Sequence, residues 1–395
     1  MIAINARRLA GAAALSVTLA LGGCGSSGEP PDVEETPHGY VAGAEELAEP
    51  QPAIAYATRE ARQLHLLDLA TGTEEEVGLS LGAQRISEDG RFVYVSGHRQ
   101  LEVVDAGVWT IDHTDHVHYY RAPARSVGTL TLDAPVTTVA GHEAHTTVGT
   151  ADGKVTVLDR RELEAGKIAT LATIDSGSST ALAVPYADRL LVAVGDDPAR
   201  PADHIVAMDE RGESTGALEV PCAAPRGAAV LRGGAVIACE DGLVRVKLEG
   251  DKLTAKTVSS PRTPVPAEPF GYRPRSNEAA VADRAGIWSV NAAKATLRYL
   301  PVRGRELVAA ASPADGSTVL ALDRSGTLIS YDLETGRLLA QKSVPAASLT
   351  LDVDRAYLAD PAAGVIHEID YRDGLRTART LRVAQRPDLA VEVGR

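Results

Sequence analysis

A five-residue stretch, usually ending in aspartate, recurs along most of the chain. It reads LHLLD to Asp68, LEVVD to Asp105, VTVLD to Asp159, IVAMD to Asp209, VRVKL to Leu248, IWSVN to Asn291, LISYD to Asp332 and IHEID to Asp370. Successive ends lie 37, 54, 50, 39, 43, 41 and 38 residues apart. A strand closed by a turn such as RSG, RAG, ADG or EDG usually precedes each copy, and a turn and another short strand usually follow. No amphipathic helix of useful length interrupts the pattern. Short strands with turn signals at a period near 40 define a β-propeller. The fold class is therefore all-β, one domain over residues 53–395. Eight copies predict eight blades, or seven if the first unit is not a full blade. The first unit lacks an innermost strand, and the last stretch, PDLAVEVGR, is a strand without a repeat after it. The C-terminal strand is thus expected to close the ring and remove its open edge. Aromatic residues are only 4% of the chain, so the core must be built from Val, Leu, Ala and Ile.

The N-terminus is a targeting segment. Arg7 and Arg8 precede an apolar run from Leu9 to Leu21, too short for a comfortable membrane span. LGGC, Leu21 to Cys24, resembles a bacterial lipobox, so residues 1–23 are expected to be removed and Cys24 to carry the lipid. Residues 24–52 are acidic and rich in Gly and Pro, which reads as a flexible tether. The net charge of −13 becomes −15 once the two arginines are cut away. Such a surface repels nucleic acid and leaves the lipid as the membrane contact. The product is an extracytoplasmic lipoprotein, at a cell surface or in a periplasm. Cys222 and Cys239 remain, outside any CxxC motif, and in an exported chain they are expected to form a disulfide.

The longest spacing, 54, holds extra residues, AGVWTIDHTDHVHYYRAPARS. They fall between the third and fourth strands of the second unit, as an inserted loop at the rim of one blade pair. Inserted loops on a rigid scaffold commonly carry function. His113, His116 and His118 lie within six residues here, interleaved with Asp112 and Asp115. The next unit contains GHEAH, a first-to-second turn flanked by His142 and His145, expected on the same face. Clustered imidazoles without thiolates favour Zn²⁺, with Cu²⁺ and Ni²⁺ chemically accessible. The expected ligands are His113, His116, His118 and His142; Asp112, Asp115 and His145 are alternative ligands or partners of the ring N–H groups.

Three stretches, DAGVWTIDHTDHVHYYRAP, VAGHEAHTTVGTADGKVTVLD and YLADPAAGVIHEIDYRDG, resemble the AztD-type zinc metallochaperones, propellers that hand zinc to the substrate-binding protein of a zinc ABC transporter. The resemblance extends over most of the chain beyond residue 53. It implies a zinc-buffering or zinc-delivering role, that binding protein as partner, and His113, His116 and His118 as zinc residues with Asp112, Asp115 and His142 beside them. One departure stands out. The family's further His–Gly pairs in later blades correspond here to SSTALAVP and CAAPRGAAV, so a second zinc site there is not expected. Two other functions fit a propeller: an enzyme of the lactonase or quinoprotein type, and a surface module that binds another protein. Neither a Ser–His–Asp arrangement nor a phosphate-binding glycine loop supports the enzyme, and the chain is expected to be a monomeric, non-catalytic metal carrier.

Overall fold

A computed structural model describes residues 41, 43–113, 116–262, 265, 266 and 269–395. The signal segment, Cys24 and Asp115 lie outside the described residues. Residues 39–395 form one unit. Its strands assemble into four-stranded antiparallel sheets, the propeller-like arrangement that the period near 40 predicts. One sheet orders Leu389–Val393, Ala53–Ala57, Gln63–Asp68 and Glu74–Gly78, so a strand from the C-terminus pairs with the first strand of the repeat. The next contains Arg85–Glu88, Phe92–Ser96, Gln100–Asp105 and Arg125–Thr131. Further four-stranded sheets cover residues 136–175, 183–221, 227–259 and 348–382. Residues 271–301 and 307–343 supply four strands each and merge through a short parallel pairing, Gly271 with Ala311 and Tyr272 with Ser312.

Each recurring stretch is the third strand of its sheet, and the aspartate that ends most copies has a local task. Asp68 accepts from the N–H groups of Ala70 and Thr71 at 2.8 and 2.9 Å. Asp332 does the same for Glu334 and Thr335 at 3.0 and 2.8 Å. The carboxylate satisfies backbone donors of the turn leading to the outer strand, the usual behaviour of Asp in turns. At Asp159 the turn becomes a one-turn helix, Arg160–Glu164, capped by that carboxylate. It is too short to contradict the all-β reading.

Apolar packing lies between neighbouring sheets. Ala55, Leu64, Val93, Val104 and Val393 join the first two sheets; Tyr94, Val103, Val148 and Leu158 join the second and third. The second strands are buried on both faces and outer strands are mostly exposed, as Phe92–Ser96 and Ser214–Pro221 illustrate. Fully burying a Val or Leu contributes about 1.5–3 kcal/mol, so many small aliphatic contacts replace the missing aromatics.

Between the second and third sheets lies a buried ionic group. The Asp89 side chain is 0% exposed and accepts from the Arg160 guanidinium. The Tyr94 hydroxyl donates to it at 2.5 Å, and the N–H groups of Phe92 and Arg91 at 2.8 and 3.1 Å. Burial alone pushes the Asp89 carboxyl upward, but the charge and hydrogen bond of Arg160, with Tyr94 and the Phe92 N–H, outweigh it and hold the group below its ordinary range.

Cys222 and Cys239 form a disulfide with Cα atoms 5.2 Å apart, 17 residues apart in sequence. It ties the approach to the fifth repeat to the end of that repeat's second strand. Closing a loop of that size contributes about 3 kcal/mol on the chain-entropy account. Replacing both cysteines by serine is expected to lower the stability by that amount, read as a lower urea midpoint; an unchanged midpoint would contradict it.

Candidate metal centre

The inserted stretch folds as a β-hairpin. Val108–Asp112 pairs antiparallel with Val117–Arg121, Trp109 facing Tyr120 and Ile111 facing His118. Gly107 makes the exit possible: its φ is +70°, and a Cβ there would stand 2.2 Å from the Ala122 carbonyl oxygen. At the tip the His113 N–H donates to the His116 carbonyl at 2.9 Å, closing the turn.

Alternation along the strands puts Trp109, Ile111, His118 and Tyr120 on one side of the ribbon and Asp112 and Val117 on the other. The first side is anchored to the body. Trp109 and Tyr120 are buried and stack with ring centroids 5.3 Å apart. The Arg91 guanidinium lies 3.8 Å from the Trp109 ring centroid and pairs with Asp105 at 2.9 Å.

The turn then gathers the three histidines. The His113 and His116 rings stack at 4.9 Å, and His118 stands edge-on to them at 5.4 and 4.9 Å. One ligand nitrogen from each lies within 4.8 Å of the others, the one such group among the described residues. A tetrahedral zinc with bonds of about 2.0–2.1 Å sets its ligand atoms roughly 3.3 Å apart. The donor set therefore fits zinc after small ring rotations.

A partner missed by sequence reasoning completes the arrangement. Glu45–Leu47, inside the stretch expected to be flexible tether, is a strand paired with Val117–Arg121. Three residues rich in glutamate carry no visible periodicity, and their pairing partner lies over 70 residues away, so composition alone concealed the strand. Its Glu46 accepts from His118 Nδ1–H at 2.7 Å. Burial first, and the Glu46 charge second, push the Tyr120 hydroxyl above its ordinary pKa.

The other expected site residues are placed differently. His142 and His145 do face each other across the turn of GHEAH. However, His142 Nε2 lies 3.4 Å from Glu143 and His145 Nε2 3.6 Å from Glu210, and neither belongs to the three-histidine group. Hydrogen bonding to His142 holds the Glu143 carboxyl below its ordinary range, and Glu143 accepts from the Asp188 N–H at 3.3 Å. This turn is thus tied to the following repeat. Asp112, on the far side of the ribbon, lies 3.7 Å from Arg275.

That ion pair also corrects the expected rim position. Arg275 belongs to the sixth repeat, and Thr110 donates to the Gly394 carbonyl at 3.2 Å, so the hairpin reaches across the face. A cavity of about 320 Å³ beside it is lined by Thr110, Arg275, Tyr357, Glu392 and Arg395 among others.

Fold and site together define a class: an all-β, propeller-type protein bearing a trihistidine cluster on an inserted hairpin. No family model and no curated relative matches the sequence. Among solved structures, AztD of Citrobacter koseri is 15% identical over 87% of this chain and 98% of its own, with a TM-score of 0.71; its apo form gives 0.72 with the same coverage. The dihydro-heme d1 dehydrogenase NirN matches at 13% identity over 88% of this chain and 76% of its own, with a TM-score of 0.57. The chain therefore shares the β-propeller fold of AztD. The same fold in an enzyme means that function must be argued from the site.

Proposed function

We propose that the chain is an extracytoplasmic zinc carrier, anchored by a lipid on Cys24, that holds zinc at His113, His116 and His118. It would deliver zinc to the substrate-binding protein of a zinc ABC transporter. The observation that carries this reading is the convergence of three imidazoles within 4.8 Å on a hairpin inserted into a regular repeat. Support comes from the resemblance of DHTDHVH and its neighbours to zinc metallochaperones and from the fold shared with AztD. We read the sheets as eight blades, with Leu389–Val393 closing the ring.

Three imidazoles leave a fourth zinc position. Structural zinc sites are closed by four protein ligands, whereas sites that exchange a ligand keep one position open. An open position lets a donor of the receiving protein enter before the histidines leave, which delivery requires. His142, turned to Glu143, is not needed for this scheme. Asp115, between His113 and His116 in sequence, is the alternative fourth ligand. The reading is non-catalytic, with zinc as cargo.

Delivery is tested by mixing the zinc-loaded chain with metal-free substrate-binding protein and a chelator that captures free zinc. Zinc is expected in the binding protein; capture of all of it by the chelator would contradict delivery. The anchor has its own test. Cys24→Ala is expected to move the protein from the membrane fraction to the soluble fraction with an unchanged melting temperature. Persistence in the membrane fraction would contradict lipidation at Cys24.

A further inference from the structure

Resting on the trihistidine reading, we infer that Glu46 is a positioning residue for the metal centre, and that the strand Glu45–Leu47 and the bound cation stabilise each other. A carboxylate only accepts, so at 2.7 Å from Glu46 Oε1 the His118 Nδ1 carries the proton. The lone pair of that ring is then on Nε2. The partner thus selects the tautomer and orients the ring, as carboxylates do for metal-bound histidines elsewhere.

Geometry restricts His118 from a second side. Its ring stacks on Tyr120 with centroids 6.2 Å apart and planes 20° from parallel, and Tyr120 is buried against Trp109. Glu46 faces Tyr120 in the strand register, on the same side of the sheet as His118. One contact fixes the plane of the ring and the other its rotation within that plane. His113 and His116 sit on the four-residue turn, so His118 is the ligand with a strand on each side of it.

Coupling follows in both directions. A cation on Nε2 withdraws electron density and makes Nδ1–H a stronger donor to Glu46, while an intact Glu46 contact makes Nε2 a better ligand. Linkage requires the two effects to be equal. The strand is only three residues long and largely exposed, with a burial pattern that leaves Glu45 and Glu46 in solvent. Its pairing is therefore easily displaced, and displacing it weakens the hold on the metal. The segment that leads away to the N-terminus becomes a handle on affinity, which fits a carrier that must let its cargo go.

The test uses the full chain with Zn²⁺ alone, in competition with a chelating dye at neutral pH. Glu46→Ala is expected to weaken zinc binding by about 10–100-fold, the usual effect of removing such a partner. Glu46→Gln keeps an acceptor oxygen at the same reach and is expected to recover most of that loss. Glu45→Ala, on the opposite side of the same strand, is expected to bind as the natural chain does. With ¹⁵N-histidine labelling, the zinc-loaded chain should show a slowly exchanging proton on His118 Nδ1 that Glu46→Ala loses. Hydrogen exchange at the Glu46 and Leu47 amides should slow when zinc is added. Wild-type affinity in Glu46→Ala, while replacing His116 and His118 abolishes binding, would overturn the inference and leave the site standing. Failure of the natural chain to bind zinc would overturn both.

Discussion

Replacing His116 and His118 together by alanine is expected to weaken zinc binding by roughly a thousandfold or more while leaving the melting temperature of the metal-free chain unchanged. A four-ligand structural zinc site contributes about 10–16 kcal/mol, or some 2.5–4 kcal/mol for each ligand, and the same share for two of the three imidazoles here gives about 5–8 kcal/mol. Losing two ligands therefore removes well over the 4 kcal/mol that a thousandfold represents. The fold is spared because His116 lies at the hairpin tip and His118 on the strand just beyond it, both outside the buried Trp109–Tyr120 pair that anchors the hairpin. Binding to the natural chain should weaken as pH falls below about 6, since a protonated imidazole offers no lone pair. Titrations paired with thermal melts check both parts. A double variant that binds as tightly as the natural chain, or that melts far below it, would contradict the assignment.

The second large effect concerns stability. Asp89→Ala is expected to cost about 3–5 kcal/mol, because removing one member of a buried ion pair leaves the other uncompensated. Arg160 is 14% exposed and has few alternatives: Glu164 is its other acidic neighbour, at 3.8 Å. The Tyr94 hydroxyl would lose its acceptor and keep only Thr146, at 2.8 Å. Because the contacts depress the folded-state pKa of Asp89, its contribution is fully present above the ordinary carboxylate range. It fades as pH falls through that depressed value. Urea unfolding of the natural and variant chains at pH 7 and in acid measures this. The gap should be widest at neutral pH and should narrow in acid; an equal gap at both would contradict the ionic account.

The repeat made most of the fold legible. A strand that ends in Asp, followed by a turn and a second strand, reports the third and fourth strands of a sheet, because the carboxylate is needed to satisfy the turn between them. The hairpin was legible as surplus length, and its three histidines as a cluster within one turn. Their neighbours were harder to read. Glu46 acts through a strand of three residues embedded in Gly- and Pro-rich surroundings, where nothing local marks it. The turn that carries His142 was legible in GHEAH, and the structure pairs His142 with His145 across it. Which way that turn leans depends on Glu143 and Asp188, a contact between repeats that a strand pattern does not contain. The rim position failed for a similar reason: Asp112 meets Arg275 over a sequence distance of more than 160 residues.

The central claim, that the hairpin holds zinc, is tested most directly by letting the metal-free full chain compete with a chelating zinc dye at pH 7. The account predicts that the chain withdraws one equivalent of zinc from the dye. A dye that keeps all its zinc in the presence of excess chain would contradict it.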